Sequence, residues 1–248
     1  MKNYCIITFL SILSLYSCKE GRNIKTIKED FSNTVVDTSQ INLDSLINEL
    51  PDYESLVLQI IPTDFTYSKT HLLQDFNTAE LNSKELALLF GMYSADLAYA
   101  RYNERVQDCR NIMGKLNTLA GLLAIPPEML NTTISSLETN IDKPEIVFQL
   151  ADSIFYIASD FLDSNEMYGL SVIMTSGAYI ESMRICSLIS STYSSKNDIS
   201  ISIYNSLTSV LNAFKGDDYI VYLKTEIDTL YHEYLNHNLE NFDFEYIN

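Results

Sequence analysis

Tryptophan is absent from the 248 residues, glycine and proline number only seven and five, and 16 basic residues face 33 acidic ones. So few glycines and prolines suit helices joined by short turns, and no convincing series of alternating strands can be traced. The scarcity of basic residues makes nucleic acid and anionic headgroups poor partners, because a body of net charge −17 is repelled by both. Phosphate-cradling Walker and Gly-x-Gly-x-x-Gly loops are missing, as is a Gly-x-Ser-x-Gly nucleophile turn. No Cys-x-x-Cys pair marks a thioredoxin-type redox site. Only three histidines occur, His71, His232 and His237. The last two stand five apart, so their imidazoles diverge on a helix and cannot chelate zinc as an i,i+4 pair does. No metal site and no cofactor is expected.

What the chain does have is two long apolar runs. Leu86–Ala100 carries Asp96 as its only formal charge, and Met167–Met183 carries Glu181 as its only one. Leu86, Leu89, Phe90, Tyr93 and Leu97 make one stripe at helical spacing, and Leu88, Met92, Ala95 and Tyr99 make the opposite one. A helix apolar on every face belongs at the centre of a bundle. Gly91, Ser94, Ala95 and Ala98 are small, which lets neighbouring helices approach closely. Both runs contain Gly-x-Tyr shortly before their acid, Gly91-Met-Tyr93 and Gly177-Ala-Tyr179, a weak hint of an internal repeat.

An ionised carboxylate inside such a helix costs several kcal/mol, of the order of 3–5, unless it is paired or hydrogen-bonded. Tyr93 and Tyr99 flank Asp96 at three residues either side, and Arg184 follows Glu181 at i+3 as a local ion-pair partner. Three roles are open to the acids. Tyrosines, arginines and backbone from neighbouring helices can satisfy each one and fix the bundle's register. If the two helices pack side by side, Tyr93, Asp96, Tyr99, Tyr179 and Glu181 can line one pocket for a cationic or hydroxyl-rich ligand. Mutual repulsion can also raise one pKa and make the pair an acid and a base.

The remaining pattern is helical as well. Leu43–Leu50 and Tyr53–Ile61 are short helices ended by Pro51 and Pro62, and His71–Phe76 adds a turn or two. Asn82 to Glu85 reads as a capping box for the first central helix. Apolar spacing resumes from Val106 to Leu123, in Met129–Leu137, and from Pro144, suited to a first helical turn, to Phe161. Asp163 and Glu166 are expected to cap the second central helix, which runs on toward Tyr193. Ile199–Phe214 and Tyr219–Leu235 follow, with Asp217-Asp218 opening the last helix, where negative charge is favourable. Residues 236–248 alternate aromatic and acidic and are expected to be extended or disordered.

The first eighteen residues read as export machinery. Lys2 is a short positive region, Tyr4–Tyr16 is an apolar core too short to span a bilayer, and Leu15-Tyr16-Ser17-Cys18 resembles a bacterial lipobox. The resemblance to lipoprotein signal peptides implies removal of residues 1–17 and lipidation of Cys18. Lys19, where inner-membrane retention uses Asp, favours the outer membrane by analogy. Removal takes Lys2 and no acid, leaving 15 basic and 33 acidic groups, a net of −18. Several acyl chains on one cysteine hold a protein firmly to a membrane. Residues 18–40 are polar and are expected to be a flexible tether. Cys109 and Cys186 remain, either as two buried thiols or as a disulfide.

The segments from Gly91, GMYSADLAYARYNE, and from Ser176, SGAYIESMRICSLI, resemble the two recurring motifs of a family of uncharacterised, all-helical Bacteroidota lipoproteins. Gly91, Tyr93, Ala95, Asp96, Leu97, Tyr99, Gly177, Tyr179, Ile180 and Glu181 carry the likeness, which covers about Leu50 to Ile189. It implies a helical fold and membrane anchoring, and brings no activity. The reading is therefore an all-α, single-domain bundle of eight or nine helices over residues 41–235. Its expected role is a membrane-anchored envelope module that binds a cationic small molecule or an envelope protein. The alternative is an envelope hydrolase using Asp96 and Glu181.

Overall fold

The computed structural model describes residues 66–140, 143–189 and 198–235, together with Ile24, Lys25, Ile27, Asn48 and Leu50. The leader, Cys18, the Tyr53–Ile61 helix and the 236–248 tail lie outside the described residues, as does nearly all of Leu43–Leu50. Among the described residues the structure is helical, without strands, and seven α-helices lie within residues 83–235. These are α1 (Ser83–Tyr102), α2 (Val106–Leu122), α3 (Pro127–Thr139), α4 (Pro144–Ser164), α5 (Tyr168–Ile189), α6 (Asp198–Ala213) and α7 (Asp218–Leu235). The class expected from the sequence is observed.

Helices α1 and α5 form the centre, as their composition requires. Every residue from Leu86 to Ala100 and from Gly169 to Met183 is buried. The other helices pack around this pair: α2 on α1, α4 on α1, α2 and α5, and the α6–α7 hairpin on α5, while α3 packs on α4 and α2. Buried hydroxyls along the two central helices turn back on their own backbone, Ser94 to the Phe90 carbonyl and Ser182 to that of Ala178, so small polar residues pack without leaving a donor unmet.

The two Gly-x-Tyr motifs meet. A Cβ at Gly91 would stand 1.8 Å from the Met174 carbonyl oxygen, and one at Gly177 would stand 2.1 Å from that of Leu88. Each glycine thus touches the partner backbone one turn before the other glycine, a reciprocal contact that only residues without a side chain allow. Because Asp96 and Glu181, five and four residues further on, also face one another, α1 and α5 run in the same direction.

Helix boundaries follow local chemistry. Asn82 accepts from the Lys84 and Glu85 amides while Glu85 accepts from the Asn82 amide at 2.7 Å, the expected capping box. Pro144 opens α4, and Asp217 caps α7 by accepting from the Tyr219 and Ile220 amides. The expected Asp163/Glu166 cap is not formed. Asp163 lies in the last turn of α4, and Glu166 is a left-handed residue that ends that helix. Helices α1, α2 and α4 all stop this way: Glu104, Ala124 and Glu166 have φ of 56°, 56° and 60°, and the next amide reaches back to Ala100, Ala120 and Leu162 respectively. The turn ahead of α1 is a 3-10 turn at Lys69–His71, earlier than the expected His71–Phe76.

Within the stretch expected to be tether, Ile24, Lys25 and Ile27 are helical, and Ile27 is completely buried in the core. Ile24 and Ile27 are an i,i+3 apolar pair, so at these positions the chain belongs to the folded body and not to a tether. Cys109 and Cys186 are both buried free thiols, which decides between the alternatives left by the sequence. Burial pushes each thiol up to about 12.

Candidate functional site

Residues 66–82 form a strap that crosses the outside of α1 and α5, and none of its residues is buried. Beneath it lie the central acids, and both Asp96 and Glu181 are completely buried. Arg184 grips Glu181 with two nitrogens, Nε at 2.7 Å from Oε2 and Nη2 on Oε1. The same Nη2 donates to the His71 carbonyl of the strap. Asp96 Oδ2 accepts from the Leu73 amide at 2.8 Å.

Asp96 Oδ1 is buried with no donor directed at it, and the Glu181 carboxyl lies close enough to act on the Asp96 carboxyl. Two carboxyls in contact share a proton, because both cannot ionise there. Burial, and then the Glu181 charge, hold the Asp96 carboxyl far above the usual carboxylate range. Burial acts on Glu181 as well, but the guanidinium of Arg184 opposes it. Arg184 therefore favours the negative charge on Glu181 and the proton on Asp96. The cluster is then neutral as a whole, which removes most of the cost of burying it.

The tyrosines of α1 complete the fastening. Tyr93 donates to the Gln74 carbonyl at 2.7 Å, while Tyr99 accepts from the Ser68 amide at 3.2 Å and contacts His71 Nδ1 at 2.7 Å. Burial and the nearby Arg184 charge push His71 below its usual pKa. Tyr93, Asp96, Tyr99 and Arg184 all bind main-chain atoms of Ser68 to Gln74. Its backbone is therefore gripped at several points, and its side chains add to the hold: Tyr67 stacks on Tyr99, and Phe76 meets the Tyr93 ring edge-on.

Four of the five residues singled out by sequence, Tyr93, Asp96, Tyr99 and Glu181, are thus brought together. Tyr179 is not. Two positions before Glu181 on a helix, it points roughly 200° away, among Tyr204, Tyr231, Tyr234 and Asp228 of α6 and α7, with its hydroxyl buried and unpartnered. Its neighbours Tyr204 and Tyr231 stack at 3.7 Å.

Open space lies beside the strap's other edge. A groove of about 870 Å³ runs between strap residues 69–75 and the face of α2. Leu72, Leu73 and Ile112 give it apolar walls, and Asn111 adds an amide. At one end Lys69 pairs with Asp108 at 3.3 Å, and at the other Lys115 pairs with Asp75 at 2.6 Å. Tyr67 donates to Asp108 at 2.7 Å and stacks on Tyr99, and Lys115 lies 4.5 Å from the centre of the Tyr93 ring. Sequence reasoning passed over Asp108, Asn111 and Lys115, although with Ile112 they form an i, i+3, i+4, i+7 stripe, a spacing that was followed only for apolar residues.

Among the described residues no group of histidines, cysteines and acids is arranged to hold a metal ion, and no helix is long and apolar enough to cross a membrane. No protein-family model, curated protein or solved structure shows significant similarity to the chain.

Proposed function

We propose that this chain is a membrane-anchored envelope lipoprotein that acts as a ligand-binding or protein-interaction module, with the groove between the strap and α2 as its site. The observation that carries the binding role is the groove's construction: one wall is a rigid helix, and the other is a strap fastened from behind by a buried, neutral charge cluster. Rigid walls lower the ordering cost of binding. The anchoring rests on the leader, on Cys18 in its lipobox-like setting and on the resemblance to helical Bacteroidota lipoproteins. Lys19 favours the outer membrane. A cationic group remains a suitable ligand feature, met by Asp108 in the groove and not by Asp96 beneath the strap.

The hydrolase alternative draws on the proton shared by Asp96 and Glu181, a feature of acid/base pairs. A substrate bond would have to reach two carboxyls that are completely buried behind the strap. Binding is the preferred reading for that reason. Two measurements test it. Cys18→Ser should move the full-length chain out of the membrane fraction; retention there would contradict lipid anchoring. Thermal melting of the purified full-length chain in detergent, with spermidine and with short peptides as probes, should show a rise in Tm that a bulky replacement of the exposed groove residue Asn111, Asn111→Trp, abolishes. No rise with any probe would contradict a binding groove.

A further inference from the structure

Resting on the reading of the groove as a binding site, its charges specify the ligand. On α2, Asp108 and Lys115 are seven residues apart, which places them on one face of the helix and about 10 Å apart along it. Asn111 and Ile112 lie between them on the same face. The helix therefore presents an acid, an amide, an aliphatic side chain and a base in a row.

Each end charge is now met by a strap residue of opposite sign, but the two members of each pair are not equivalent. The Asp108 side chain is 10% exposed and is held by Tyr67, whereas its partner Lys69 is 71% exposed. Lys115 is 30% exposed and rests over the Tyr93 ring, whereas its partner Asp75 is 89% exposed. The helix charges are fixed, and the strap charges are solvated stand-ins. The Lys115–Asp75 pair is exposed and contributes little to stability, and Lys69, being 71% exposed, stays solvated when a ligand ammonium takes its place at Asp108, so exchanging either strap partner for a ligand group costs little.

We infer that the groove takes an extended zwitterion, its ammonium replacing Lys69 at Asp108 and its carboxylate replacing Asp75 at Lys115. The required charge separation of about 10 Å is the span of roughly three extended residues. Free tripeptides are the class that fits, with Ile112, Leu72 and Leu73 beside the middle side chain and Asn111 within reach of its peptide groups. A single amino acid is too short to reach both charges.

The test is calorimetric titration of the full-length chain in detergent with Ala-Leu-Ala, its N-acetylated form, its C-terminal amide, leucine and spermidine. Ala-Leu-Ala should bind, and capping either end should weaken binding at least tenfold. Lys115→Met should lower affinity for the free peptide to that for the amide, and Asp108→Asn should do the same for the acetylated form. Lys69→Gln and Asp75→Asn, which remove the competing strap charges, should tighten binding several-fold. Equal binding of free and capped peptides would overturn the zwitterion assignment. Binding of spermidine without any tripeptide would overturn it too, while leaving the groove a binding site. Absence of binding by every probe would overturn both.

Discussion

Asp96 and Glu181 face each other across the parallel pair α1 and α5, and each also reaches the strap, Asp96 directly through the Leu73 amide and Glu181 through Arg184 and the His71 carbonyl. The two most conspicuous acids in the sequence therefore hold this chain's own backbone. On the proposed reading their link to function is indirect, since the segment they hold is one wall of the groove.

Asparagine at position 96 reproduces the protonated acid, its oxygen accepting from Leu73 and its amide donating to Glu181. Asp96→Asn should therefore melt at the same temperature as the parent or higher at pH 7. Glu181→Gln should lose roughly 3–5 kcal/mol, because it leaves the Arg184 charge uncompensated. Differential scanning calorimetry of both variants checks the contrast.

The pH dependence has a definite sign. Asp96 has a folded pKa raised above its unfolded value, so the folded state binds the extra proton between those two values. Its contribution is largest below the usual aspartate range and is lost as pH rises toward the raised pKa. Subtracting the urea stability of Asp96→Asn from that of the parent across pH should give a difference that falls with rising pH. A flat difference would mean that Asp96 titrates normally.

The glycine crossing leaves no room for a methyl group. Gly91→Ala and Gly177→Ala should each destabilise by about 3 kcal/mol or more, since the clash is with backbone carbonyls that cannot turn aside. Gly114 on α2 has open space around its Cβ position, and Gly114→Ala should stabilise by about 0.5–1 kcal/mol. Denaturant melts of the three variants separate packing from propensity.

Three helices end on non-glycine residues in the left-handed region. Such a residue carries a penalty of roughly 1 kcal/mol that glycine avoids. Glu104→Gly and Glu166→Gly should each raise stability by up to about 1 kcal/mol, read as an increase in the urea midpoint at unchanged slope.

The centre of the fold is legible in the sequence because an apolar stretch such as Leu86–Ala100 has no solvent face to offer. Asn82, Pro144 and Asp217 likewise mark their helix starts by local chemistry. The end of α4 is not legible: Glu166 occupies a position where glycine is the usual signal, so Asp163 and Glu166 resemble the start of the next helix. Tyr93 and Tyr99 lie three residues from Asp96 and share its face, whereas Tyr179 lies two from Glu181 and cannot. The strap left the least trace. Its bonds to Asp96, Tyr93 and Arg184 run through its main chain, and the same amides and carbonyls are present in every sequence. Ile27 was hidden by the polar residues around it.

Hydrogen exchange at the Leu73 amide tests the central claim most directly. Leu73 lies outside any helix, so its protection depends on the Asp96 carboxyl. The account predicts slow exchange in the parent protein, slow exchange in Asp96→Asn, and exchange at the rate of an open loop in Asp96→Leu. Fast exchange in the parent, or undiminished protection in Asp96→Leu, would contradict a strap fastened by the buried acids.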